Sequence, residues 1–381
     1  MKSIISEFSP LVVGTGAGGG PLIAGLAESG FSVIGFDAGP YFRPLEDFAS
    51  DEREQEKLYW TDERIVDGAN PITMGGKNSG KAVGGSTVHF AMVSLRFRPE
   101  WFKSRTALGY GADWPLDWRE MWQYYKRAEK ALTIAGPVSY PWGPKRPRSP
   151  YRAHELNGAA ELLARGAVFG TMAQEVRWNK GPPSLAITEH WNYDDRKDFA
   201  GGYCWMAQGP LPVEWVTVQT SARGLWGQAL RDEMEKYNHQ VGLKMVGEML
   251  PDERNRVTLA DEKDRYGLRV ARVTYSWGEN DKALIQHALG QMQTSLEAVG
   301  ATNIFRQEDD TNHLAGTARM GDDPATSVVN ADCRSWDIPN LWVCDGSIFP
   351  TTGGVNPSLT ITSIAMRTAD RIRALAATGD L

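Results

Sequence analysis

Apolar residues run unbroken at Leu11, Val12 and Val13, then give way to Gly14-Thr15-Gly16-Ala17-Gly18-Gly19, after which Leu22, Ile23, Leu26 and Ala27 recur at helical spacing up to Gly30. A short unbroken run fits a buried strand and the 3.6-residue recurrence fits an amphipathic helix, so the pattern predicts strand, glycine turn, helix and stop. A second apolar stretch over 31–36 predicts the next strand and closes on Asp37. Farther along, 256–259 and 268–276 flank the polar stretch 261–267 and predict a hairpin. Ile285, Leu289, Met292 and Leu296 mark a helix ending at Gly300. Near the C-terminal end, 340–347 reads as a buried strand leading into a turn, with a loop over 348–355. A last helix follows, with Pro357 at its first position, Asn356 at or beside its N-cap, and one stripe made by Ile361, Ile364, Ala365, Thr368, Ala369 and Ile372. Five prolines within 137–150 predict an extended surface loop.

The glycine turn carries chemistry. Gly14 permits a tight turn, Gly16 lets a pyrophosphate approach the backbone, and Gly19 lets helix and strand pack closely. The helix N-terminus offers free N–H groups and a positive dipole end to phosphates. Asp37, 18 residues beyond Gly19, stands where a ribose hydroxyl would be bound. The unit predicts dinucleotide binding and does not separate FAD from NAD. On local grounds Asn356 and Asp345 read only as a helix cap and a turn starter.

Composition narrows the classes. With 41% hydrophobic and 23% charged residues, the 381-residue chain is an ordinary globular protein of two or three domains. Acidic and basic residues are interspersed at a net charge of -6, which argues against a nucleic-acid partner. No run approaches the roughly 18 apolar residues of a transmembrane helix. Cys204, Cys333 and Cys344 are too few and too scattered for a disulfide framework, and no metal site is expected.

Further motifs, in order, change the weight of these local readings: the fingerprint, then Gly84-Gly85-Ser86-Thr87-Val88-His89, then Asp113-Trp114-Pro115 and Tyr124-Tyr125. His313-Leu314-Ala315-Gly316, the run 340–347 containing Asp345 and Gly346, and Asn356-Pro357-Ser358-Leu359-Thr360 complete the set. Together they resemble the glucose-methanol-choline (GMC) oxidoreductases over about 300 of the 381 residues, most closely the large subunits of bacterial sugar, sorbitol and gluconate dehydrogenases. The resemblance implies an α/β fold: a Rossmann-like FAD-binding domain over 1–98 and 305–381, its parallel sheet built from both chain ends. An antiparallel-sheet substrate domain over 99–304 is inserted between them.

It implies His313 as the general base that takes the hydroxyl proton and Asn356 as the donor that holds the same substrate oxygen. An ordinary imidazole, with a pKa near 6.5, is roughly three-quarters or more neutral at pH 7, so the base would need little tuning. Ser86 and Thr87, with Gly84 and Gly85, would lie along flavin and pyrophosphate, joined in the cofactor site by Asp345 and Gly346. The helix behind Asn356 and Pro357 would face the flavin pyrimidine edge with its positive end. In flavoproteins resembling pyranose oxidase, a histidine spaced like His89 carries a covalent link to FAD; an unlinked imidazole facing the flavin is the alternative.

One departure from the family matters. After Tyr203-Cys204 the chain passes directly to Trp205-Met206, where relatives open a longer segment with further cysteines and strands, so an internal deletion is expected near 204–205. Losing interior strands would leave apolar strand faces bare and thin one wall of the FAD site. The missing cysteines leave no basis for an iron-sulfur cluster. The leading expectation is an FAD-dependent dehydrogenase acting on a CH–OH group of a sugar, polyol or sugar acid, with a small subunit and a cytochrome as electron-accepting partners. A truncated noncatalytic remnant or interaction subunit, and an NAD(P)-dependent dehydrogenase, are the alternatives. A cytoplasmic location is the default, and periplasmic export on a partner's signal is the other expectation.

Overall fold

The computed structural model describes residues 8–48, 52–72, 79–90, 92–136, 151–152, 170–171, 187–190, 198–207, 212–306 and 313–381. The proline-rich 137–150 lies outside them. In chain order the elements used below are β1 (Leu11–Val13), α1 (Gly19–Glu28), β2 (Ile34–Phe36), β3 (Ile65–Asp67), α2 (Trp118–Ala131), β4 (Ile187–His190) and β5 (Tyr203–Ala207). They continue with β6 (Leu243–Gly247), β7 (Arg256–Lys263), β8 (Arg269–Thr274), α3 (Glu279–Ala298) and α4 (Ser358–Thr378). The chain packs as two compact units. The first is Met1–Tyr151, Met249–Gly278 and Asp310–Leu381; the second is Arg152–Glu248 and Glu279–Asp309. Packing groups 99–151 and the predicted hairpin with the chain ends.

In the first unit the strand, turn, helix and strand predicted at the N-terminus are present. β1 and β2 pair in parallel with Leu11 opposite Ile34 and Val13 opposite Phe36. Side chains alternate across a strand, so the two strands show one face through Val12 and the other through Leu11, Val13, Ile34 and Phe36. The Val12 face is buried in a core with Leu22, Leu26 and Phe31, and with Ala365, Ala369, Ile372 and Ala376 of α4. The opposite face is bare: Leu11 is 61%, Val13 83%, Ile34 50% and Phe36 54% exposed. The two ends of the chain do fold together, but through α1 and α4. The predicted strand over 340–347 does not join the parallel sheet. Its backbone pairs instead with 333–335, Ser335 N–H donating to Leu341 O at 2.9 Å and Val343 N–H to Cys333 O at 2.9 Å.

The hairpin β7–β8 forms as predicted, antiparallel with Val257 opposite Val273, and β3 adds to β8 in parallel. Helix α2 is tied to α4 by Tyr125 Oη to Thr360 Oγ1 at 2.9 Å and Tyr124 Oη to Asp370 Oδ2 at 3.2 Å.

In the second unit β6, β5 and β4 form an antiparallel sheet with β5 in the centre. Tyr203, Trp205 and Leu243 pack on Leu284, Ala288, Met292 and Leu296 of α3; the predicted helix is present, but its buried stripe runs through Leu284 and Ala288 rather than Ile285 and Leu289. The expected deletion point at 204–205 thus falls inside a continuous, buried strand rather than at a loop. Among the described residues no helix is long and apolar enough to cross a membrane.

Candidate active site

The glycine turn is shaped by contacts that exclude side chains. Gly14 has φ +84° and its N–H donates to Phe36 O at 2.7 Å, which closes the loop onto the end of β2. A Cβ on Gly19 would lie 1.8 Å from Gly14 O, so α1 can start this close to β1 only with glycine there. Gly16 faces the backbone of Gly84 and Gly85, whose conformations at φ +102° and +54° begin a short helical turn over Gly85–Val88. Ser86 Oγ accepts the Gly80 N–H at 2.9 Å, and Thr87 Oγ1 donates to Gly84 O at 2.5 Å, so both hydroxyls brace this glycine shoulder. Helix α1 has no acidic residue in its first turn, leaving its positive end unopposed.

Asp37 lies at the end of β2, with Oδ2 accepting from Thr15 N–H and Oγ1 and Oδ1 from Gly39 N–H. Partial burial disfavours the charged carboxylate, yet these hydrogen bonds, led by the Thr15 hydroxyl, outweigh it and hold the group below the usual carboxylate range. His89 is half-buried edge-on to Tyr59, with its Nε2 enclosed and without a hydrogen-bond partner, and burial lowers its pKa.

The second half of the site comes from the C-terminal segment. Backbone N–H groups of Gly316, Ala318 and Met320 donate to Gly346, Ser347 and Ile348 carbonyls at 3.1, 2.8 and 2.7 Å. These bonds pin the segment after His313 to the one that leads into α4. Asp345 caps the turn Gly346–Ile348 by accepting from Ser347 N–H at 2.8 Å and Ser347 Oγ at 2.5 Å, so its carboxylate serves the chain itself. Gly346 lets the Leu314 carbonyl approach to 3.4 Å of its missing Cβ.

Held this way, His313 Nε2 and Asn356 Nδ2 lie 3.4 Å apart. His313 occupies the left-handed region at φ +59°, a strained backbone for any residue with a side chain, though histidine is among those that tolerate it. Its side chain is open to solvent, yet surrounding protein displaces enough water to lower its pKa to about 4. With its pKa lowered in this way, His313 is neutral across the whole neutral range. With Asn356 Nδ2 as donor, the Nε2 lone pair points at the carboxamide and the ring proton sits on Nδ1.

Asn356 stands beside the N-cap as expected, and α4 starts one residue later than the spacing predicted, with Pro357 as the N-cap and Ser358 the first helical residue. The Oδ1 of Asn356 and the Oγ1 of Thr352 are buried without partners.

Several supporting residues escaped the motif reading. Trp114 Nε1 donates to Thr351 Oγ1 at 2.9 Å, and Gly353 has φ +57° with its missing Cβ 2.7 Å from the Trp101 ring. The loop before Asn356 therefore rests on an aromatic bed of Phe97, Trp101, Trp114 and Phe349. The Asp113-Trp114-Pro115 motif was the available signal, but its partner lies too far along the chain to be read from spacing.

These residues fit a flavin adenine dinucleotide. The bare helix end suits a pyrophosphate, Asp37 a ribose, and the enclosed polar atoms of Asn356 and Thr352 a polar ring edge. Fold and glycine turn together have the form of an α/β dinucleotide-binding domain. The GMC oxidoreductase family model, in its C-terminal part, matches residues 251–365.

The chain is similar to a 2-methyl-1,2-propanediol dehydrogenase from Mycolicibacterium austroafricanum, 24% identical over 98% of this chain and 96% of that protein. It is also similar to the fructose dehydrogenase large subunit of Gluconobacter japonicus, 31% identical over 58% of this chain but only 42% of that protein. A solved pyridoxine 4-oxidase has the same fold, with a TM-score of 0.54 and 16% identity over 95% of this chain and 98% of that one. What the comparisons share is a likeness to GMC oxidoreductases, carried by the family match over 251–365 and by these relatives. The alignment with the diol dehydrogenase runs over 541 positions, of which 381 residues leave at least 160 opposite gaps. Both chains are covered almost end to end, so the shortening is internal.

Proposed function

We propose that this protein is an FAD-dependent oxidoreductase that oxidises a CH–OH group of a sugar, polyol or sugar acid and passes the electrons to an external acceptor. The observation that carries the reading is the approach of His313 Nε2 to Asn356 Nδ2 just ahead of α4. FAD, when bound, supplies the ring that accepts the hydride. Gly14, Gly16 and Gly19 with the α1 N-terminus would hold its pyrophosphate, Asp37 its ribose, and the Gly84–Thr87 shoulder, Gly346 and Pro357 its ring end. His313 takes the hydroxyl proton at Nε2. Asn356 turns its carboxamide N–H to the same substrate oxygen and holds the negative charge that grows there. Because His313 is neutral at pH 7, no proton has to be shed before it acts.

The relatives' names support the substrate class, since they include a diol dehydrogenase and a fructose dehydrogenase large subunit. A small subunit and a cytochrome are the partners this reading expects. The division of labour between a flavin-binding part, 1–98 with 305–381, and a substrate part, 99–304, belongs to the same proposal. A covalent link through His89 is its finer form, and the enclosed Nε2 is the nitrogen such a link would use. Flavin remaining with the acid-precipitated chain, and lost in His89→Ala, supports it; flavin released entirely removes it.

The test is spectral. Purified protein supplied with FAD should turn yellow and bleach with one member of a sugar and polyol panel, and His313→Ala should bleach at least a hundredfold more slowly. Equal rates in the variant remove the base.

A second reading, a noncatalytic remnant, is favoured by the bare face of Leu11, Val13, Ile34 and Phe36. A protein that stays colourless with FAD decides for it. A nicotinamide dehydrogenase leaves the His313 and Asn356 pairing without a task.

A further inference from the structure

Three segments distant in sequence meet at one hydroxyl. Thr15 Oγ1 donates to Asp37 Oδ2 at 2.5 Å and accepts the Gly84 N–H at 2.8 Å, while the Thr15 backbone N–H donates to the same Oδ2 at 3.0 Å. The amide of Gly84 occupies a lone pair of the hydroxyl, so the hydroxyl proton turns to the carboxylate and its rotor is held in one direction. Oδ1 of Asp37 accepts the Gly39 N–H at 3.0 Å. A carboxylate offers about four acceptor positions. Two on Oδ2 and one on Oδ1 are taken, and the Ala38 amide also bears on the carboxylate, which leaves at most a single position, on Oδ1.

We infer that Thr15 is a positioning residue of the nucleotide site: it withholds Oδ2 of Asp37, leaves Oδ1 to receive one ribose hydroxyl only, and locks the Gly84 shoulder to the fingerprint loop. The fingerprint pattern leaves this position free, because backbone shape does not depend on it. The hydroxyl is needed here for another reason. Valine has the same outline and can neither accept from Gly84 nor donate to Asp37, whereas serine can do both. The loss would be felt at two places together. Asp37 Oδ2 would open to water and the carboxylate would lose its fixed direction, and the Gly84 amide would lose its acceptor between two packed loops. The close approach of Gly16 and Gly85 gives that shoulder little room to find another partner.

The inference rests on the FAD reading, and titration of the full-length protein with FAD separates the two. Thr15→Ser should bind FAD within about twofold of the parent and Thr15→Val about tenfold more weakly, the size of one charge-assisted hydrogen bond. In the Asp37→Asn background Thr15→Val should add little, because the two act as one unit. For the parent, of FAD analogues lacking the adenosine 2′- or 3′-hydroxyl, one alone should bind weakly. Amide hydrogen exchange across 80–87 without ligand should be faster in Thr15→Val than in Thr15→Ser. Parent-like binding by Thr15→Val, serine as weak as valine, additive losses in the double variant, or equal losses with both analogues overturns the inference while leaving the flavin reading intact. A parent protein that binds no FAD overturns both.

Discussion

Trp114 donates its indole N–H to Thr351 Oγ1 at 2.9 Å across 237 positions of sequence, and both groups are buried. Thr351 lies five residues before Asn356, so this bond anchors the loop that presents the carboxamide. Trp114→Phe should keep most of the packing and leave the Thr351 hydroxyl without its donor, at a cost of about 1–3 kcal/mol. Urea unfolding should register that loss, and flavin reduction should slow as well if Asn356 shifts. Thr351→Val in the same background should add little, since one bond is removed only once.

The lowered pKa of His313 makes a pH prediction with a definite sign. The unfolded imidazole titrates near 6.5 and the folded one near 4, so between these values the unfolded chain binds more protons. Stability from this group is complete above pH 6.5, declines as pH falls through the window, and is flat below about 4. The urea midpoint of the parent should therefore fall more steeply over that window than that of His313→Gln. The acid limb of kcat/KM should lie near 4 rather than 6.5. A limb at 6.5 would contradict the lowered pKa of the ring.

Arg96 and Glu129 form a bidentate ion pair at 2.8 and 2.6 Å, almost wholly removed from water, with the guanidinium 3.8 Å above the Trp122 ring. Glu129→Gln should destabilise the first unit by about 3–5 kcal/mol, because it leaves a cation enclosed with only a neutral acceptor. Replacing both, as Arg96→Met with Glu129→Met, should cost less than the single change. Thermal unfolding of the three variants checks the order.

The two faces of the β1–β2 pair should respond differently. Leu26, fully enclosed between α1, β1 and α4, should cost about 2–5 kcal/mol as Leu26→Ala. Val13→Thr on the bare face should change stability by no more than about 0.5 kcal/mol. Combined with Phe36→Thr it should lower binding of a hydrophobic dye, since these residues contribute to one contiguous apolar patch. Dye binding that does not change would show the face to be covered.

Much of the local architecture was legible before any coordinates. The Leu11–Val13 run and its glycines predicted strand and turn, the Leu22 and Leu26 spacing predicted α1, and the polar stretch after Leu259 predicted the hairpin. Each depends on backbone geometry and on a period of two or 3.6, and so is written in neighbouring residues. Resemblance alone, and no local signal, picked out His313 and Asn356 as a pair. The run 340–347 was misread as a sheet strand because an apolar extended segment reads the same whether it pairs with β1 or with 333–335.

What sequence determined by itself, then, is the set of elements, the fingerprint and the identities of the residues offered for chemistry. Tertiary structure alone decided that His313 and Asn356 approach to 3.4 Å, that Trp114 supports Thr351, and that Thr15 joins Asp37 to Gly84. It also decided that one face of β1 and β2 stays bare, a matter of which layers the chain can supply. The physical reason is one of range: turns and helices close hydrogen bonds a few residues apart, whereas these contacts join residues separated by 22 to 237 positions. Only the packing of whole elements brings such groups within reach.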